Sequence, residues 1–218
     1  MQMPRFLSSL EQHKGVCSAF IGRVEGVELS LNKDEVLARL QPAHEREVRH
    51  LGYCWNQLHL AEQVHGSNIA VVTACDAHKT WSGVDGLMTS DASLLLGIHV
   101  ADCGAVYLYD PVRGAVALLH SGKKGTESNI TGEAIELMQV KYDSSPADIR
   151  VVLSPCIKPP FYEVDFGADI RQQALEAGIL EKHYVDAHIC TANNVRDYYS
   201  YRLEKGKTGR MLALLGVR

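Results

Sequence analysis

The sequence predicts an α+β fold, with a mixed sheet core in layers and flanking helices. Most strand-like segments are apolar on both faces, as strands covered on each side are. These segments follow one another in pairs as often as they alternate with helices, which departs from a regular parallel α/β pattern. The 218 residues are 46% hydrophobic and 22% charged, enough apolar material for a sizeable core. No internal repeat or low-complexity linker marks a boundary, so residues 1–218 read as one domain.

The elements follow from local pattern. A helix is expected from Lys33 to Gly52 on the apolar positions Val36, Leu37, Leu40, Val48 and Leu51, with Pro42 breaking or kinking it. A second is expected from Thr126 to Tyr142, where Ile130, Ala134, Leu137 and Met138 form one stripe. A third begins at Asp165 as N-cap, passes through Ile170, Ala174 and Leu175, and stops at Gly178. Strands are expected at Ile69–Thr73, Leu94–Val100, Ala105–Tyr109, Ala115–His120, Ile149–Leu153, Tyr198–Arg202 and Met211–Leu215.

A net charge of −4 leaves no basic excess to neutralise a phosphate backbone, and the basic residues are scattered, so nucleic acid is not the expected partner. The N-terminal MQMPRFLSSLEQHKG turns polar before an apolar signal region of roughly 7–15 residues forms, and no apolar run approaches the roughly 20 residues of a membrane span. A cytoplasmic location is expected. The cysteines at 17, 54, 75, 103, 156 and 190 are widely spaced with no Cys-x-x-Cys pair, so each reads as a buried hydrophobe or a working thiol rather than half of a disulfide.

The chemistry concentrates in HVADCGAVYLYDPVRGAVALLHSGKKG, from His99 to Gly125. Asp110-Pro111-Val112-Arg113 is turn chemistry, followed by Gly114. A loop of those four residues sets Tyr109 opposite Gly114 and therefore Cys103 opposite His120, with Cβ atoms about 4.5–5.5 Å apart. A thiol and an imidazole so placed can share one metal ion or one proton, though an ordinary core also contains cysteines and histidines of this kind. Ser121-Gly122-Lys123-Lys124-Gly125 leads from strand to helix and offers backbone N–H groups to an anion, without Walker spacing. Asp102 either orients an imidazole or caps the strand end. His99 reads as a strand-end core histidine or as a hydrogen-bonding neighbour of the site.

Several motifs, taken in order, carry a resemblance: Gln63-Val64-His65-Gly66, Ala101-Asp102-Cys103, His120-Ser121-Gly122 with Gly125, Pro155 with Tyr162-Glu163-Val164, Cys190-Thr191, Tyr199-Ser200-Tyr201-Arg202 and Thr208-Gly209-Arg210. From Gln63 onward the chain resembles the bacterial laccase-domain family, once called multicopper polyphenol oxidases and now described as zinc-dependent purine nucleoside phosphorylases. The resemblance implies that His65, Cys103 and His120 hold one metal ion, zinc in preference to copper. It implies phosphorolysis of adenosine, inosine, guanosine and S-methylthioadenosine, with adenosine deamination as a companion activity. It also implies an α/β core with a Cys-His arrangement similar to that of cytotoxic necrotizing factors.

Two imidazoles and a thiolate are the ligand set of an open catalytic zinc site. Cys103 and His120, with Asp102 beside them, are the candidate catalytic residues, and Lys124, Arg23 and Arg202 are the candidate phosphate holders. Nucleoside and phosphate are the expected small-molecule partners. A multicopper oxidase is disfavoured: its sites use about ten histidines, largely in His-x-His pairs, and none of the ten histidines here is so paired.

The sequence departs from the family pattern around this triad. Lys123 and Lys124 stand where a Trp and a basic residue are usual, Ser154-Pro155 replaces Gly-Pro, and Pro160 and Phe161 occupy the places of paired cysteines. The N-terminal signature is reduced to Gly22-Arg23-Val24-Glu25-Gly26. Two other readings therefore stand beside the phosphorylase. One is a metal-free hydrolase with Cys103 as nucleophile and His120 as base, and the other is a diverged paralogue that binds metal without turnover.

Overall fold

The computed structural model describes residues 5–76 and 80–218. Among them the strands run in chain order as β1 (Val16–Ile21), β2 (Leu58–Ala61), β3 (Ile69–Val71), β4 (Thr80–Trp81), β5 (Gly86–Thr89), β6 (Leu95–Val100), β7 (Gly104–Asp110), β8 (Ala115–Ser121), β9 (Arg150–Leu153), β10 (Tyr184–Asp186) and β11 (Met211–Val217). The helices are α1 (Ser8–Glu11), α2 (Lys33–His50), α3 (Lys123–Glu127), α4 (Ile130–Tyr142) and α5 (Phe166–Glu176).

The strands form two mixed sheets, ordered β1-β11-β6-β2-β4 and β10-β9-β7-β8-β5-β3. Alternation along each strand explains the layering. Leu96, Ile98 and Val100 of β6 and Ala213 and Leu215 of β11 meet Ala105, Tyr107 and Tyr109 of β7 and Val116 and Leu118 of β8 in a core between the sheets. The opposite faces are also apolar. Val106, Leu108, Ala117 and Leu119 pack under Ile130, Ala134 and Met138 of α4 and Ile170 and Ala174 of α5. Leu95, Leu212 and Leu214 pack with Val48 of α2. Two sheets between outer helices is the layered α+β arrangement expected from strands apolar on both sides.

Local signals set the helix ends. Asn32 caps α2 by accepting from the Asp34 and Glu35 N–H groups, and α2 runs unbroken through Pro42, so of the expected break or kink the break does not occur. The helix expected to begin at Thr126 begins at Ile130, because Asn129 at φ 56° caps it by accepting from Gly132 N and separates it from α3. Asp165 caps α5 as expected, and Gly178 follows at φ 97°. The expected strand at Tyr198–Arg202 is a bend and turn, whose backbone serves side-chain carboxylates instead: Ser200 N donates to Glu204 and Arg202 N to Asp102. Strands β1, β2, β4, β5 and β10 and helix α1 had no counterpart among the expected elements.

The β7–β8 hairpin forms around Pro111 to Gly114, with Asp110 paired to Ala115 and Ala105 to His120. Asp110 Oδ1 accepts from the Val112 and Arg113 N–H groups, and Gly114 lies at φ 61°. The register thus differs by two residues from the expected Cys103–His120 pairing. A two-residue shift preserves the face, because strand side chains alternate with period two. Cys103 is then the diagonal neighbour of His120 at the same open end of the hairpin.

Candidate metal centre

Three backbone devices bring the donors together. His65 sits in the loop after β2, where Gln63 and His65 both adopt positive φ (68° and 63°). Asp85, fully buried immediately before β5, gathers this loop: its carboxylate accepts from Val64 N at 3.1 Å, His65 N at 2.9 Å and Gly66 N at 2.7 Å. His120 ends the apolar run of β8, and its Nδ1 donates to Asp85 Oδ1 at 2.8 Å. One carboxylate therefore positions two of the three donors.

Cys103 is set by the residue before it. Asp102, at φ 79°, accepts from Thr191 Oγ1 and from Arg202 N, each at 2.7 Å, and its carbonyl accepts from Ile157 N at 2.8 Å. Of the two expected roles of Asp102, orienting an imidazole and capping the strand end, the first is therefore corrected. Its carboxylate is committed to Thr191 and the 200–203 turn, and the carboxylate on the imidazole is that of Asp85. Glycine at 122 is required by close approach, since a Cβ there would lie 2.4 Å from Cys103 Sγ. A Cβ on Gly125 would lie 3.2 Å from Gly66 O, so α3 closes against the His65 loop.

The result is one group of donors, His65, Cys103 and His120, whose ligand atoms all lie within 4.8 Å of one another. The rings of His65 and His120 meet edge to face at 4.9 Å between centroids. His120 is buried, Cys103 half-buried and His65 exposed, so the group opens toward solvent on one side. The donor set fits zinc. It supplies two nitrogens and a sulfur, its buried imidazole is fixed in one tautomer by a carboxylate, and one side remains open.

The electrostatics favour the charged forms of Cys103, His120 and Asp85, so a metal binding at His120 would release its proton. Burial pushes the Cys103 thiol up, but hydrogen bonds and charge from His120 and His65 outweigh it and bring the pKa down to about 6. Burial pulls His120 down, but Asp85 and Cys103 outweigh it and raise the pKa to about 9. Burial likewise opposes charge on Asp85, yet the hydrogen bonds from His120, Gly66 and His65 hold its carboxyl below the usual range.

A cleft of 790 Å³ opens over the triad, within the range of small-molecule sites of about 300–1,000 Å³. Tyr162 and Tyr201 line it, with Lys123 on its wall. Of the three expected phosphate holders, Arg202 alone lines the cleft, and it is paired with Glu163 at 2.5 Å and stacked over Tyr162. Arg23 is absent from the lining: its guanidinium is taken by Glu204 at 2.6 Å and Tyr198 O, over the Tyr199 ring. Lys124 is exposed and also outside the lining, because the turn of α3 that presents Lys123 to the cleft carries its neighbour round to solvent. His99 does line the cleft.

Sequence reasoning missed Asp85, although a signal existed. A lone acid between Val84 and the apolar Leu87-Met88 run would be buried in a strand, and a buried carboxylate needs a partner.

Known proteins share this architecture and sequence. The chain is 33% identical to purine nucleoside phosphorylase YlmD of Geobacillus stearothermophilus, over 72% of this chain and 71% of that protein. It is 32% identical to a purine nucleoside phosphorylase of Deinococcus radiodurans, over 91% and 88%. The crystal structure of YlmD from Geobacillus stearothermophilus superposes with a TM-score of 0.84 at 29% identity, covering 94% of this chain and 93% of that one. A Bacillus licheniformis hypothetical protein, YfiH, gives 0.82 at 26% identity, covering 93% of each chain. With residues 9–174 and 165–218 matching the family described as multi-copper polyphenol oxidoreductase laccase, the chain belongs to that family.

Proposed function

We propose that this chain is a cytoplasmic, zinc-dependent purine nucleoside phosphorylase. It acts on adenosine, inosine, guanosine and S-methylthioadenosine, and deaminates adenosine at the same centre. The observation that carries this reading is the convergence of His65, Cys103 and His120 at a cleft of nucleoside size. The names of the relatives at 33% and 32% identity support it. The family description speaks of several coppers, but among the described residues one group of three donors is found, enough for one ion.

A zinc ion, when bound, supplies Lewis acidity and an activated water at neutral pH. The chain's own residues do the rest. Asp85 accepts a hydrogen bond from His120 Nδ1, so that Nε2 is the nitrogen that would face a metal once its own proton is displaced. Cys103, with its pKa near 6, presents a thiolate at neutral pH. Tyr162 and Tyr201 offer ring faces to a purine. In phosphorolysis a phosphate oxygen bonds to ribose C1′ as the C1′–N9 bond breaks. The bonding electron pair leaves on the purine, which takes one proton, and the products are free base and ribose 1-phosphate.

The test is incubation with inosine or adenosine plus phosphate, with chromatography for free base and ribose 1-phosphate, beside elemental analysis. About one zinc per chain, lost together with turnover in Cys103→Ser, is the expected result. No free base from any of the four nucleosides would overturn the reading.

A second reading has its own observation. Asp85, His120 and Cys103 form a chain of carboxylate, imidazole and thiol in which Asp85 holds one ring nitrogen and Cys103 pairs with the imidazole, the arrangement of a nucleophilic Cys-His hydrolase. Protein purified without metal, whose Cys103 is alkylated by iodoacetamide with loss of an amidase or esterase activity, would favour it.

A further inference from the structure

The cleft carries more positive charge than the metal-centred chemistry explains. Lys33, Lys123, Arg202, Lys205 and Arg210 line it against two carboxylates, Asp102 and Glu163, in a chain of net charge −4. Both carboxylates are engaged: Asp102 by Thr191 and Arg202 N, Glu163 by the Arg202 guanidinium. Arg202 is thereby neutralised, whereas Arg210, Lys33, Lys123 and Lys205 have no carboxylate within ion-pair distance among the described residues, and of these Arg210 is the guanidinium.

Arg210, like Lys123, is half-buried, while the other cations of the cleft are exposed. Arg210 Nη1 donates only to Gly209 O at 2.8 Å, and its guanidinium stands 5.8 Å from the Tyr201 ring centroid. Its electrostatic neighbours are Tyr201, Cys103 and Asp102, which places it beside the metal centre. His99 also lines the cleft; its charged neighbours include Lys33 and Arg210, and its ring lies 5.6 Å from that of His44 between centroids. Burial, then repulsion from those groups, keeps the His99 ring neutral. The backbone of His99 is held on both sides by the Gln63 side chain, two residues from the ligand His65. This wall is therefore fixed relative to the triad.

A planar guanidinium without a carboxylate, a neutral imidazole and a lysine on one wall make a donor set for a tetrahedral oxyanion. We infer that Arg210, with His99 and Lys33, forms an oxyanion subsite that holds the phosphate co-substrate beside the metal centre. Its identity as a phosphate site rests on the phosphorylase reading, while its existence as an anion site rests on these side chains lining one cleft without carboxylate partners. The three residues replace Lys124 and Arg23, which lie outside the cleft lining, and leave Arg202 to position Tyr162 and Glu163.

The test is titration of the purified protein with inorganic phosphate, followed by calorimetry, for the wild type and for Arg210→Gln, His99→Asn and Lys124→Ala. Arg210→Gln is expected to weaken phosphate binding about tenfold or more, the size of a lost charge-assisted pair. His99→Asn is expected to weaken it less, and Lys124→Ala not at all, with melting temperature and zinc content unchanged in each. In turnover, Arg210→Gln raises KM for phosphate and leaves KM for inosine near the wild-type value. If Arg210→Gln binds phosphate as the wild type does, or the wild type binds none, the subsite is overturned. If the wild type binds phosphate through Arg210 and yet releases no base from any nucleoside, the subsite stands and the phosphorylase reading falls.

Discussion

Asp85 holds His120 by its ring and His65 by its backbone through the same carboxylate oxygen, at 2.8 Å and 2.9 Å. The buried acid thus acts on two metal donors from separate strand ends without being a donor itself.

Replacing it tests that arrangement. Asp85→Asn keeps the shape but loses the charge that fixes the His120 proton, so zinc affinity should fall by about 10–100-fold. Competition with a chromogenic chelator would measure this. An unchanged affinity would mean that the ring is oriented by packing alone.

The thiol can be read by its pH dependence. Loss of solvent around half-buried Cys103 raises its pKa, but His120 and His65 bring it to about 6, so in metal-stripped protein the thiolate predominates above that pH. Alkylation of the Cys103 peptide by iodoacetamide, followed by mass spectrometry to separate it from exposed Cys54 and Cys75, should reach half its maximal rate near pH 6. In His120→Asn the midpoint should move upward, toward the ordinary thiol value of about 8.5.

Gly122 offers a steric test. A Cβ at this position would stand 2.4 Å from Cys103 Sγ, so Gly122→Ala must displace the sulfur or the strand end. Zinc content should drop markedly, while stability falls by about 1–3 kcal/mol, the usual range for overpacking. Metal analysis and denaturant unfolding report the two effects separately.

His44 sets an acid limit on the fold. It is 2% exposed, its Nε2 has no hydrogen-bond partner among the described residues, and burial lowers its pKa to about 4 from 6.5. Below pH 6.5 the unfolded chain takes a proton here that the folded chain refuses, so stability is lost as pH falls toward 4. This one group should account for roughly 3 kcal/mol between pH 7 and pH 4. Urea unfolding of wild type and His44→Leu across that range should show the variant losing less; parallel curves would remove His44 from the account.

Local pattern was enough for the layered α+β class, because strands apolar on both faces need cover on each side, and for the Asp165 cap and Gly178 stop of α5, which are local signals. The hairpin brought Cys103 and His120 together from the sequence, while His65 joined them only through the family resemblance. The hairpin register was legible only to the correct face: the turn residues allow a loop at 110–113 or 111–114, and a shift of two leaves alternation unchanged. Tertiary structure alone decided what each charged side chain faces. Asp85 is 35 residues from His120 in sequence, Asp102 is 100 from Arg202, and Arg23 is 181 from Glu204. Contacts closed over such separations leave no periodicity in the sequence, so which acid holds the imidazole and which arginine has no carboxylate partner emerged only when the two sheets were brought face to face.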